Sequence, residues 1–164
     1  MIVEDQNVFP NNVVEIVTAR TKLLDSDLWV TKRPLRESDP NQSVGIFAAQ
    51  WLPEENSYEM VAAPVGRHEP TLQQYIITVQ AFVKDMDEER GLATHSVLSK
   101  MIRSMLYRDD PLRVALGSLS VTTDSSIERT QRWGIRQQRY FSNELSGSWL
   151  YLSTLEFWLE TETV

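Results

Sequence analysis

At 164 residues, 41% hydrophobic and 24% charged, the chain has the size and balance of one soluble globular domain with room for a core. Its formal charge of −7 speaks against a protein whose main task is gripping nucleic acid, which requires a basic balance or a strong basic patch. The absence of cysteine excludes disulfides, thiolate chemistry and cysteine-held zinc.

No apolar run approaches the roughly 20 residues that span a bilayer. The start, Met1-Ile-Val-Glu-Asp-Gln6, lacks the basic region and apolar core of a signal peptide, so synthesis in the cytoplasm is expected. No Pro-, Gly- or Ser-rich linker divides the sequence, and a single domain over 1–164 is expected.

The first predicted element is a helix capped by Asn12, with Glu15 completing a capping box and Pro10 just ahead. Val13, Ile16, Val17 and Leu24 share one helical face, interrupted by Arg20, and Asp25-Ser-Asp27 ends it. Residues 31–42 contain two prolines and read as a loop. Ser43–Leu52 reads as a strand closed by Pro53, and 53–70 as a second long loop with Pro64, Gly66 and Pro70. Gln74–Lys84 follows as a strand with Tyr75, Ile77, Val79, Ala81 and Val83 on one face.

Asp85–Gly91 reads as a charged connection. Leu98, Met101, Ile102, Met105 and Leu106 then recur at helical spacing in a helix that must stop before Pro111. Arg113–Thr122 and Ile127–Phe141 read as strands around a polar turn at Thr123–Ser126.

The terminal strand, from Gly147, places Tyr151, Leu155, Phe157 and Leu159 on a face built for burial. Thr154, Glu156, Trp158, Glu160 and Glu162 lie on the other. Residues on one strand face sit roughly 6–7 Å apart, so the three carboxylates form a stripe too even for a metal cage or an acid/base pair. The whole predicts an α+β fold, a largely antiparallel sheet with two main helices packed on it.

Chemistry-bearing patterns are sparse. His68 and His95 have no partner at metal-ligand spacing; His95 is placed in the first turn of the amphipathic helix, and each reads as a solvated or core-edge histidine. Leu116-Gly-Ser-Leu-Ser120 lacks the second glycine of a nucleophile elbow. The glycines are scattered singly, with no phosphate-binding loop. Asp85-Met-Asp-Glu-Glu-Arg90 lacks the ligand alternation and central glycine of a calcium loop and reads as a solvated connection. No catalytic residue, cofactor site or metal site is expected. A hydrolase using Asp85, Asp87 and His95 is motivated only by their closeness in sequence.

Arg129, Arg132, Arg136 and Arg139 are interleaved with aromatics Trp133 and Tyr140, a pattern that can serve phosphate pairing and base stacking. On a helix they would align; on a strand they split two and two between faces. Gly134, Ile127, Trp133, Ile135 and Phe141 favour the strand, with the arginines answering glutamates of a neighbouring strand or subunit. Trp51, Trp149 and Trp158 read as core or interface residues. On the acidic face, Trp158 requires cover by a helix or another subunit, an argument for oligomerisation.

The stretches Pro70–Asp85, Leu92–Arg108 and Phe141–Glu162 resemble the tail-terminator proteins of long-tailed (siphovirus-type) actinobacterial phages, themselves distantly similar to the lambda tail-terminator fold. The resemblance covers residues 70–164 well and the first 70 by general layout, and it rests on overall pattern because that family has no catalytic motif.

It implies a non-enzymatic virion protein of the tail neck, a small α+β subunit of a homohexameric ring. Such a ring caps the last tail-tube ring, stops tube polymerisation and meets a head-side connector or stopper protein on its other face. DNA passes through the centre without specific binding, and no membrane is involved. Glu156, Glu160 and Glu162, or the acidic loop Asp85–Glu89, are the lumen candidates; Trp158, Arg129, Arg132, Arg136 and Arg139 join them as lumen or subunit-interface candidates. The loops 31–42 and 53–70 serve either as docking arms or as cover for the sheet. A head-completion or stopper-type neck adaptor is the neighbouring alternative, and a nucleic-acid binder acting through Arg129–Arg139 a more distant one.

Overall fold

The computed structural model describes residues 8–48, 71–123 and 126–164. In chain order the elements are α1 (Val8–Thr21), β1 (Trp29–Thr31), β2 (Gln42–Ala48), β3 (Thr71–Asp85), α2 (Glu88–Arg108), α3 (Asp110–Gly117), β4 (Ser120–Thr123), β5 (Ser126–Leu145) and β6 (Ser148–Thr163). The strands form one sheet in the order β1-β2-β3-β6-β5-β4. Among the described residues β1 and β2 pair in parallel and the other pairings are antiparallel. The α+β class expected from sequence is what forms, with three helices among the described residues where two main ones were expected.

Period-two alternation along β3 and β6 sets the core. Their register pairs Tyr75 with Leu159, Ile77 with Phe157 and Val79 with Leu155, so the apolar faces of both strands point the same way. Phe9, Val13 and Val17 of α1 and Leu98, Ile102, Met105 and Leu106 of α2 pack on that face. Each such buried side chain contributes about 1.5–3 kcal/mol through removal from water. The odd face expected for the terminal strand is buried in full, and Ser153 and Thr161 are buried with it.

α1 departs from its prediction. Asn12 lies inside the helix, where its side-chain nitrogen donates to the Val8 carbonyl at 2.9 Å, and Glu15 pairs with Lys32. The capping box therefore does not form. Pro10 is accepted in the first turn, where backbone N–H groups have no intrahelical acceptor. The buried stripe is Phe9, Pro10, Val13, Val14, Val17, Thr18 and Thr21, with Ile16 and Leu24 only partly buried.

The predicted strand Arg113–Thr122 is largely a helix. Pro111 suits the first turn of α3, and Leu112 and Leu116, four residues apart, are both fully buried. Only Ser120–Thr123 is strand. The charged connection shrinks because α2 begins at Glu88: Asp87 caps it by accepting from Arg90 N at 2.9 Å, and Asp85 pairs with the Arg90 guanidinium. His95 consequently lies well inside α2 instead of in its first turn. β3 and β5 outrun their predicted bounds at both ends. Residues 49–52 of the predicted strand, the loop 53–70, Trp51 and His68 lie outside the described residues.

Candidate functional site

The strand β6 has two faces of opposite character. Opposite the helices, its even residues meet β5 in the register Arg129 to Glu162, Arg132 to Glu160, Gly134 to Trp158, Gln137 to Glu156 and Arg139 to Thr154. The arginines do not split two and two. Register shifts between Thr130 and Arg132 and between Ile135 and Gln137 each insert one residue and reset the alternation. Arg129, Arg132 and Arg139 therefore share the outer face with the glutamates, and Arg136 sits in the second bulge.

The carboxylate stripe is largely answered within the sheet. Arg132 reaches Glu160 at 3.1 Å and Arg129 reaches Glu162 at 3.7 Å, while Gln131 donates to Glu162 as well. Charged pairs on such an exposed surface contribute about 0–1 kcal/mol each, so they fix register and neutralise charge more than they stabilise. Glu156 faces Gln137 across the ladder.

Trp158 is partly covered within the subunit by β5. The Arg132 guanidinium lies 5.5 Å from the ring centroid, and the ring rests on Gly134, where an added Cβ would come within 3.1 Å of it. Glycine at 134 is thus a close-approach residue, and Trp158 remains half-buried.

The loop 32–41 folds back over the outer face near β2 and β3. Leu35 N donates to the Gln80 side chain at 2.9 Å, and Arg33 clasps Asp39 while lying over the Trp29 ring. Hydrogen bonding from Arg33 holds the Asp39 carboxyl below the usual range. The loop thus covers part of the sheet's outer face.

The residues suggested for hydrolysis differ in environment. Asp85, lowered to about 2 chiefly by its Arg90 hydrogen bonds, and the helix cap Asp87 lie at the exposed start of α2. His95 is buried beneath the sheet, stacked on Tyr151 and edge-on to Tyr140. Its ring meets Ser99, which in turn meets Ser153 at 3.1 Å, and burial pushes its pKa down. Among the described residues no cluster of histidine and carboxylates is arranged to hold a metal ion, and no helix is long and apolar enough to cross a membrane.

Sequence reasoning missed the length of the hairpin. β5 and β6 are joined by a two-residue turn at Ser146 and Gly147, both with positive φ, the handedness that matches twisted strands. β4 covers the far side of β5 only from Ser126 to Arg129. Beyond it, Tyr140 and Phe141 are 65% and 59% exposed, and residues 139–145 are exposed throughout. The signal was in the sequence: alternation persists through Phe141, and Ser-Gly is a turn dipeptide.

No protein-family model matches the chain, and no curated protein matches it. Among solved structures, a chain described as "Virion of native gene transfer agent (GTA) particle" is similar at 8% identity, with a TM-score of 0.49, over 94% of this chain and 98% of that one. Likeness at this level carries no further argument.

Proposed function

We propose that this chain is a single-domain structural protein of a virion, a tail-terminator subunit that forms a homohexameric ring, caps the tail tube and joins it to a head-side connector. The observation that carries the reading is the distal half of the β5–β6 hairpin. It presents a strand edge without a partner among the described residues, together with exposed aromatics, a surface suited to association with other chains. The resemblance of residues 70–164 to tail terminators supports the choice of role. The protein acts through shape and surface, without bond chemistry or cofactor, and works in the neck of the particle.

In this reading the outer face of β6 is a lumen or subunit-interface surface. With Glu160 and Glu162 paired to Arg132 and Arg129, it is a nearly self-neutralised wall, which neither grips nor strongly repels passing phosphate. That pairing also weakens the nucleic-acid-binding alternative, since two of its arginines are engaged in-chain. Deleting the coding region from a producing phage tests the role: overlong tails are expected for a terminator, whereas heads that leak DNA would instead assign it to a stopper-type adaptor. Normal particles would overturn both.

A further inference from the structure

A groove of about 510 Å³ lies between α2 and the turn that follows α1. Leu23, Leu24, Met101 and Met105 supply its apolar lining, and Lys100 and Arg108 are its exposed cations. Arg20 and Asp109 also line it but are paired to each other at 2.6 Å. Met101 and Met105 flank Arg103 by two residues each, so they lie across the helix from the side chain that reaches Gln138 of β5. The groove therefore opens on the side of α2 away from the hairpin. Leu23 is 70% exposed there, and through Met101 the groove continues into a second hollow of about 310 Å³ beside Leu28 and Val97.

The other end of α2 is the converse surface, an apolar side chain set among carboxylates. Met86 is 81% exposed between Asp85 and Asp87, with Glu88 and Glu89 exposed next to it. The tip is held in shape: Asp87 caps α2 and the Arg90 guanidinium clasps Asp85. Acidic residues at a helix start and basic ones at its end already complement the helix dipole. That role needs neither an exposed methionine at one end nor an exposed leucine at the other.

We propose that the groove between α1 and α2 takes Met86 of a second copy, whose Glu88 and Glu89 meet Lys100 and Arg108. A flexible thioether suits such a shallow apolar hollow, and the flanking charges set its orientation. Roughly 20–30 Å of helix separates the acidic tip from these cations in one chain, so a subunit cannot fill its own groove. Donor and acceptor are different patches, and such a contact runs head to tail and can close into a ring. The inference deepens the ring reading and rests on it for the choice of a second copy as donor.

Because the chain has no cysteine, engineered cysteines report on the contact directly. Under mild oxidation, Met86→Cys mixed with Leu23→Cys should give about tenfold more disulfide-linked dimer than Met86→Cys mixed with Val114→Cys, an equally exposed site on α3. Light scattering after gel filtration adds the charge test. Lys100→Glu with Arg108→Glu should weaken association by about tenfold or more, and Glu88→Lys with Glu89→Lys should do the same. Combining all four should restore it, with circular dichroism confirming that each variant folds. Equal cross-linking yields, or association that neither pair weakens, would overturn this contact and leave the ring reading standing. A wild-type chain that stays monomeric at every concentration would overturn both.

Discussion

Near its start β5 is flanked by β4, its arginines meet β6 carboxylates, and Trp133 and Ile135 pack against the core. From Gln137 to Leu145 the same strand keeps its regular pairing with β6, yet residues 139–145 are exposed and carry Tyr140, Phe141 and Leu145. Pairing with β6 thus continues along the whole hairpin, while pairing on the other edge and side-chain burial do not. The first half meets its needs within the subunit, and bulges, glycine and arginine are the devices that do so. The second half leaves its aromatic groups exposed among the described residues.

The sharpest contrast comes from two phenylalanines. Phe157→Ala should cost about 3–5 kcal/mol, because the ring is almost fully buried and its loss leaves a cavity. Phe141→Ala should change stability by no more than about 0.5 kcal/mol. Urea unfolding of the dilute protein measures both; equal losses would erase the distinction between the halves.

Gly134→Val should cost about 1–3 kcal/mol by pressing a side chain into the Trp158 ring, whereas Ser142→Val on the distal half should be nearly neutral. Arg132→Ala is expected to lose about 0.5–1 kcal/mol and to red-shift tryptophan emission as the Trp158 ring becomes wetter.

The smallest effect is a pH dependence beneath the hairpin. Burial lowers the folded-state pKa of His95 below its ordinary 6.5, so the unfolded chain takes up the proton first. The contribution is fully present above pH 6.5 and is lost as pH falls from there through the lowered folded value. His95→Gln should flatten that part of a stability-against-pH curve; an unchanged slope would assign it to other groups.

The alternation of β3 and β6 and the apolar period of α2 were legible in the sequence because each follows a single periodicity set by burial on one face. α3 was not, since its eight residues offer only Leu112 and Leu116 as helical signal. The start of α1 was misread because Asn12 is both a common cap and, here, a helix-interior donor to Val8. The arginine face was illegible for a different reason. Strict alternation separates Arg132 from Arg129 and Arg139, and only two bulges, which depend on pairing with β6, bring the three together. The candidate carboxylates were visible in the sequence, but their partners were settled by register.

Hydrogen–deuterium exchange across the hairpin, followed from dilute to concentrated protein, tests the division most directly. Amides of β5 on the open edge between Gln137 and Leu145 should exchange quickly in the dilute protein and slow as chains associate. Those of β6 from Leu155 to Thr161 should stay protected throughout. A distal edge already protected when dilute, or unchanged on association, would contradict the account.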